Sequence, residues 1–350
     1  MPVGSPTGIL LLKVSMDFPS LATLQEQLPT FPCDVTDLPA SLQQYAEHYG
    51  LSQLAQHYCA TFELGGCDIA GMQINLCHFV PSATPLGTLL VVTGYTDHIG
   101  LFGKVYELAL QHSLQVYVFD LPGHGLSSGE RAGIDDFATY QSVLRAIVRE
   151  YCLPAAGPLF AVGQSTGGGI LLDALLHDTE LAAAFSRVSA LAPLLYPRRF
   201  FQIRCLYTLL SPFLKKVQRA FRSVSHDEGF NCFLQQDALQ PETLSVSWIG
   251  ALIRWTAMME QSAPSDFPLQ LLQGTDDTTV DAGTNMKAYR RLFPESQLHW
   301  IEGARHHMVN EADVWWQPIS EHIGRYWQEG LQKYYEGVDS LSEVPIMRPH

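Results

Sequence analysis

The sequence Gly163-Gln-Ser165-Thr-Gly167 stands between two apolar runs, Leu159-Phe-Ala-Val before it and Gly168-Gly-Gly-Ile-Leu-Leu-Asp-Ala-Leu-Leu after it. The first run predicts a short buried strand and the second a helix, so the chain must turn sharply at Ser165. Small residues on both sides of the serine permit that turn. It holds Oγ clear of the strand at the N-terminus of the helix, where developing negative charge is favoured. A strand, a tight serine turn and a helix in direct succession belong to a parallel sheet with crossover helices.

The same rhythm runs through most of the chain. Residues 72–80, 88–93, 114–119, 159–162, 188–192, 269–272 and 297–301 are strand candidates, with helices at about 101–112, 135–151 and 167–178. Most of the strands are short and continuously apolar, the mark of strands covered on both faces. Residues 72–80 alternate instead and are expected at an antiparallel edge. The fold class that follows is α/β, a mostly parallel sheet with helices on both faces. Residues 1–60 read as an N-terminal helical extension with one helix, Leu38 to Tyr58, opened by Asp37 as N-cap and Pro39 in the first turn. Strand rhythm stops between Pro193 and Pro264, which predicts a helical cap over residues 194–264. The core is then split into residues 61–193 and 265–335, followed by a tail, 336–350.

Composition excludes several classes. Hydrophobic residues make up 47% and charged residues 16% of the 350, and no apolar run is long enough to span a bilayer. Ile9-Leu-Leu-Leu is too short for the apolar segment of a secretory signal. Seven cysteines with no C-x-x-C pair read as thiols of a reducing compartment, so a cytoplasmic protein is expected, at most peripheral to the inner membrane surface. With 21 Lys and Arg against 35 Asp and Glu the net charge is −14, which speaks against nucleic acid as a partner. The histidines show no ligand spacing, and neither metal nor cofactor is expected.

A serine hydroxyl needs a histidine base, and that base needs a carboxylate to orient it. Both are available at the ends of later strands: Gly274-Thr-Asp276-Asp277 follows residues 269–272, and Gly303-Ala-Arg-His306-His307 follows 297–301. The chain order is Ser, Asp, His. By residue type alone Asp276, Asp277 and Asp281 compete for the acid and His306 and His307 for the base.

Gly94-Tyr-Thr-Asp97-His98, Phe119-Asp120-Leu-Pro-Gly-His124-Gly-Leu-Ser127, the serine turn, Gly274-Thr-Asp-Asp277 and Gly303-Ala-Arg-His306 together resemble the α/β-hydrolase superfamily. The likeness is to its branch of monoacylglycerol lipases, lysophospholipases and serine aminopeptidase-like proteins, over roughly residues 60–330. The resemblance implies an eight-stranded-type sheet and a triad of Ser165, Asp277 and His306, because in that branch acid and base each stand three residues after their glycine. It also implies an oxyanion hole built from the backbone N–H groups of Tyr95 and Thr166. Thr93-Gly94 replaces the His-Gly usual on that loop. Asp97, His98, Asp120, His124 and Ser127 read as hydrogen-bonding supports for their loops. The activity implied is cleavage of carboxylic esters through an acyl-enzyme. Peptidase or thioesterase chemistry uses the same intermediate, and a non-catalytic scaffold that kept the fold is the reading from another class.

From Leu181 to His226 there is no carboxylate, while Arg198, Arg199, Arg204, Lys215, Lys216, Arg219 and Arg222 alternate with apolar residues. Phe200, Phe201, Leu206, Leu210 and Phe213 are the candidates for a substrate lid. One reading rests this basic amphipathic segment on an anionic lipid surface. The other packs its apolar face on the core as a lid with solvated lysines and arginines. Either way a hydrophobic cover suits an acyl chain, which points to a lipid ester such as a monoacylglycerol or a lysophospholipid.

Overall fold

A computed structural model describes residues 18–155 and 157–342 of the chain. Its frame is a sheet of eight strands: β1 (Cys59–Ile69), β2 (Met72–Pro81), β3 (Gly87–Val92), β4 (Leu114–Phe119), β5 (Leu159–Gln164), β6 (Phe185–Leu191), β7 (Leu269–Gly274) and β8 (Gln297–Ile301). Their spatial order is β1-β2-β4-β3-β5-β6-β7-β8. The β1–β2 and β2–β4 pairs are antiparallel, and every other pairing is parallel. All residues of β3, β4 and β5 are buried, as their unbroken apolar runs require.

The helices, in chain order, are α1 (Leu21–Glu26), α2 (Ala40–His48), α3 (Leu51–Tyr58), α4 (Gly103–Gln111), α5 (Ala138–Ile147), α6 (Thr166–His177), α7 (Thr179–Ala184), α8 (Phe200–Leu210), α9 (Glu228–Gln236), α10 (Val246–Glu260), α11 (Ala282–Leu292) and α12 (Asp313–Ser342). One hydrophobic core joins the sheet to α5, α6, α10 and α11, through residues such as Tyr140, Ile170, Trp255 and Tyr289. A second, on the opposite face, joins it to α2, α3, α4 and α12 through Leu42, Val105, Ile323 and Trp327. Among the described residues no helix is long and apolar enough to cross a membrane.

Three expectations are corrected. Residues 72–80 do form an antiparallel strand, but β1 lies outside it and takes the edge. The β1–β2 turn is the two-residue Ala70-Gly71, with φ of 54° and 77°. Next, the single helix expected over 38–58 is two helices, because Gly50 adopts φ 72° between them. Asp37 closes a short 3-10 turn and caps neither helix, and α2 starts after Pro39. Finally, α12 continues to Ser342, past the expected end of the core at 335. The remaining tail residues, 343–350, and the Ile9–Leu12 segment lie outside the described residues.

The N-terminal segment covers β1. Phe31 N–H donates to the Gly66 carbonyl at 3.0 Å and Gly66 N–H to the Pro29 carbonyl at 2.7 Å, so part of the exposed strand edge is paired. Between β6 and β7 the chain makes α8, a small ribbon (Lys216–Gln218 with Thr243–Ser245), α9 and α10. The α10 end of this insertion is fastened to α6: Trp255 Nε1 donates to Asp173 Oδ2 at 2.9 Å, and Ser262 Oγ meets His177 Nε2 at 2.9 Å. Helix α8 rests on α10 where Tyr207 lies against Gly250, too close to leave room for a Cβ.

Candidate active site

Ser165 stands between β5 and α6 at φ 53°, ψ −114°, a conformation that a non-glycine residue holds only under constraint from its surroundings. The constraints are visible. Its N–H donates to the Leu191 carbonyl at 2.9 Å, and its carbonyl accepts from Leu194 N–H at 2.9 Å and Gly169 N–H at 3.0 Å. A Cβ on Gly163 would lie 2.6 Å from the Gly167 carbonyl carbon, and one on Gly167 would collide with the Val92 carbonyl oxygen. The two glycines of the motif are therefore steric requirements of the turn.

The loops after β7 and β8 bring acid and base to that serine. His306 Nε2 is 3.0 Å from Ser165 Oγ, and His306 Nδ1 is 2.8 Å from Asp277 Oδ2. All three residues are buried. Asp277 is held on every side: Oδ1 accepts from Thr279 N–H at 2.7 Å and Val280 N–H at 3.1 Å, and Oδ2 also accepts from Gln273 Nε2 at 3.0 Å. Burial alone would raise its carboxyl, but His306 and these N–H donors outweigh burial and hold it below the usual carboxylate range. For His306 burial opposes the charged ring, yet the Asp277 carboxylate and the charge of Asp97 overcome it, so the ring holds a proton more tightly than a free imidazole. An imidazole placed between a hydroxyl and a carboxylate can take the hydroxyl proton while the carboxylate stabilises the resulting cation.

The rivals fall away on position. Asp276 is exposed, Asp281 caps α11 by accepting from Thr284 N–H at 3.2 Å, and His307 turns to Asp97. Tyr95 lies on the loop after β3, its hydroxyl donating to the Ala132 carbonyl at 2.7 Å and its ring stacked on Trp248 at 3.8 Å. Thr166 opens α6, where the first N–H groups have no intrahelical acceptor. The two backbone N–H groups expected to form the oxyanion hole thus come from the loop and the helix that flank the serine.

The expected loop supports act on the neighbouring turns. Asp120, fully buried, accepts from Ile99 N–H, Leu126 N–H and Asn75 Nδ2 at 2.7–2.8 Å, with burial raising its carboxyl. Ser127 Oγ donates to the Asp120 carbonyl at 2.7 Å. Burial pushes the His124 imidazole down to about 4, so it sits neutral behind Tyr95. His98 Nε2 meets Asp237 Oδ2 at 2.7 Å, and Tyr49 Oη donates to Asp237 Oδ1 at 2.6 Å, which joins N-terminal segment, core loop and insertion at one carboxylate.

The lid candidates are not brought to the serine as a group. Phe200 packs against the core, but Phe201, Leu206, Leu210 and Phe213 face solvent, with Phe201 75% and Phe213 82% exposed. The cause is one-sided packing: α8 contacts α10 through Tyr207 and buries none of its own residues fully. Sequence reasoning missed Gln164, whose Nε2 donates to the His306 carbonyl at 2.8 Å. Its place one residue before the serine was the available signal.

A doubly wound sheet with a strained serine at a strand-to-helix turn, and acid and base on later loops, defines an α/β-hydrolase. The chain belongs to the family described as serine aminopeptidase, S33, whose model matches residues 83–313. Among curated proteins it is similar to a monoglyceride lipase homolog of Monkeypox virus, 24% identical over 67% of this chain and 87% of that protein. It is 26% identical to the monoglyceride lipase of Mus musculus over 69% of this chain and 82% of that one. Among solved structures, a soluble variant of monoglyceride lipase from Saccharomyces cerevisiae, in complex with a substrate analog, superposes with a TM-score of 0.67 at 19% identity, covering 77% of this chain and 95% of that one. The monoacylglycerol lipase of Paleococcus ferrophilus gives 0.63 at 22% identity over 73% and 99%. These structural likenesses concern the fold.

Proposed function

We propose that the chain hydrolyses the acyl ester bond of monoacylglycerols or of lysophospholipids, with Ser165 as nucleophile, His306 as general base and acid, and Asp277 as the group that orients His306. Ser165 Oγ attacks the acyl carbonyl carbon as His306 Nε2 takes its proton, and the N–H groups of Tyr95 and Thr166 hold the oxyanion. Collapse breaks the bond to the alcohol oxygen, which leaves with the proton from His306. Water, deprotonated by the same imidazole, then releases the fatty acid and restores Ser165. Two backbone donors contribute several kcal/mol to the barrier, one alone about 3 kcal/mol. The observation that carries this reading is the unbroken line from Ser165 Oγ through His306 to Asp277, at 3.0 and 2.8 Å. The similarity to monoglyceride lipases supports the choice of substrate. Fluorophosphonate labelling tests the chemistry: wild type labels and Ser165→Ala does not, and equal labelling of both defeats the reading. Rates on a monoacylglycerol and a lysophospholipid with the same acyl chain test the substrate.

Residues 194–264 act as a cap in this reading, and α8 carries it to an anionic membrane surface from the cytoplasmic side. Exposed Phe201, Leu206, Leu209 and Phe213 lie among exposed Arg198, Arg199, Arg204, Lys215, Lys216 and Arg222, an arrangement that suits acyl chains below and anionic headgroups around them. Cosedimentation with vesicles of anionic and of neutral lipid tests this, and binding indifferent to lipid charge defeats it.

A further inference from the structure

A second buried carboxylate–imidazole pair lies beside the first. Asp97 and His307 are 6% and 5% exposed, and His307 Nε2 meets Asp97 Oδ1 at 3.2 Å. The tautomer follows from the other ring nitrogen. Asn310 Nδ2, itself bonded to the Leu101 carbonyl at 2.6 Å, reaches His307 Nδ1 at 3.3 Å, which makes Nδ1 an acceptor and leaves Nε2 to donate to Asp97. The ring is set between Phe102 and Phe230, and the backbone N–H of His307 donates to the Val224 carbonyl at 2.9 Å.

The other oxygen of Asp97 works on the opposite side. Oδ2 accepts from Gly94 N–H at 3.2 Å, while Asp97 N–H returns to the Gly94 carbonyl at 3.2 Å. These two bonds close the turn that carries Tyr95, and inside it Thr96 is held at φ 68°, left-handed and unfavourable for a threonine. One carboxylate therefore grips both the loop bearing an oxyanion donor and the residue that follows the base in the chain.

We propose that Asp97 and His307 are positioning residues that lock the oxyanion turn to the base loop, so that Tyr95 N–H and His306 Nε2 keep a fixed separation as charge develops between them. The proposal rests on the catalytic reading given above. An ionisable pair buried at this depth is a poor source of stability compared with apolar packing, which makes a positional role the better account of it. Displacement of a donor or base by a fraction of an ångström is costly in acyl transfer.

The charge of Asp97 has a second effect. Facing its carboxylate are His307, His98 and Arg219, and although burial favours the neutral acid, these groups hold it ionised. Facing His306 are Asp277 and Asp97, both of which favour the imidazolium. Asp97→Asn therefore lowers the proton affinity of the base as well as loosening the turn, whereas His307→Gln offers the same carboxylate oxygen an amide N–H and leaves the charge in place.

The test is kcat and KM against pH on a water-soluble p-nitrophenyl ester for wild type, Asp97→Asn, His307→Gln and His307→Leu, with the His306 imidazole titrated by NMR. Expected for Asp97→Asn is a loss of about tenfold in kcat at little change in KM, with the acid limb and the NMR titration both displaced to lower pH by about half a pH unit. His307→Gln is expected to keep most of the wild-type kcat and His307→Leu to lose about as much as Asp97→Asn. An Asp97→Asn enzyme with kcat within twofold of wild type, or with neither titration moved, overturns the proposal. Should that variant not fold, the two His307 variants decide, and equal rates in them overturn it. A wild type inactive on every ester strikes at the functional reading instead, and the NMR titration still reports on Asp97.

Discussion

The side-chain amide of Gln164 donates to the backbone carbonyl of His306 at 2.8 Å, so the residue before the serine holds the backbone of the histidine that faces it. Gln164 Oε1 has no protein partner among the described residues, which makes the amide donor its contribution. Gln164→Met keeps the volume and removes the donor. The His306 carbonyl then keeps only Met308 N–H, which donates to it at 2.9 Å, and the expected cost is about 1 kcal/mol, read as a lower Tm, together with about a tenfold fall in kcat as the base loop relaxes.

Rate and stability respond to pH in opposite senses around His306. Its folded-state pKa is raised, so the rate falls as pH drops through that value and the base becomes protonated. The stability it contributes is fully present below the unfolded imidazole value and is lost as pH rises through the folded one. Asp277 has a lowered pKa, and its contribution is present above the unfolded carboxyl value and lost as pH falls through the folded one. Asp277→Asn is expected to cost about 10⁴-fold in kcat and to move the acid limb to lower pH. Stopped-flow profiles and melts across pH 4–9 check both directions.

Strain at the serine is measurable by its release. Ser165 occupies φ 53°, ψ −114°, which glycine adopts at far lower cost. Ser165→Gly is expected to melt higher than Ser165→Ala, by about 1 kcal/mol in stability, with both inactive; equal melting temperatures would count against strain at this turn. Gly163→Ala places a Cβ 2.6 Å from the Gly167 carbonyl carbon and is expected to cost more than 2 kcal/mol, about the scale of other overpacked sites.

Membrane contact is expected to depend on particular side chains. Lys215→Gln with Lys216→Gln removes two exposed cations, at about 1 kcal/mol each, and should weaken binding to anionic vesicles by about thirtyfold. Phe201→Ser with Phe213→Ser should weaken it on neutral and anionic vesicles alike. Sedimentation of labelled protein with vesicles measures both.

Asp237 is the joint between three parts of the chain, and its carboxyl lies at about 2: burial would raise it, but His98 and Tyr49 pull it down. Its contribution to stability is present above the unfolded carboxyl value and is lost as pH falls toward 2. Asp237→Ala leaves a buried histidine and a tyrosine hydroxyl without their partner and is expected to cost about 3 kcal/mol, read by denaturant titration.

Where the sequence carried local chemistry, it was readable without coordinates. The interior parallel strands declared themselves as apolar runs, and Ser165 lies between two glycines that mark its turn, whereas the choice of Asp277 and His306 over their neighbours came from the family resemblance. Strand β1 was hidden because Gly65 and Gly66 interrupt its pattern; Gly65 leaves room for the Phe31 and Pro29 backbone against the strand, and Gly66 for the Gln73 side chain of β2. The β1–β2 turn was hidden too, since Ala70 stands at a left-handed position where asparagine or glycine would have announced it. The break between α2 and α3 is signalled by Gly50, whose φ of 72° ends one helix and starts the next. Nothing local separates His306 from His307. What divides them is a partner far away in sequence, Asp277 for one and Asp97 for the other, and such pairings exist only once the sheet has assembled.

The insertion is anchored unevenly, and this decides which part of it can move at low cost. Helix α10 is fastened at Trp255, and the chain just beyond it at Ser262, and the helix buries much of its length, so lifting it would tear open a core. Helix α8 has no fully buried residue to uncover. The insertion is therefore built as a cantilever, fixed along α10 and held more lightly along α8, whose exposed side carries Phe201, Leu206 and Leu209. Bending that edge moves exposed side chains and leaves the core that α10 closes intact.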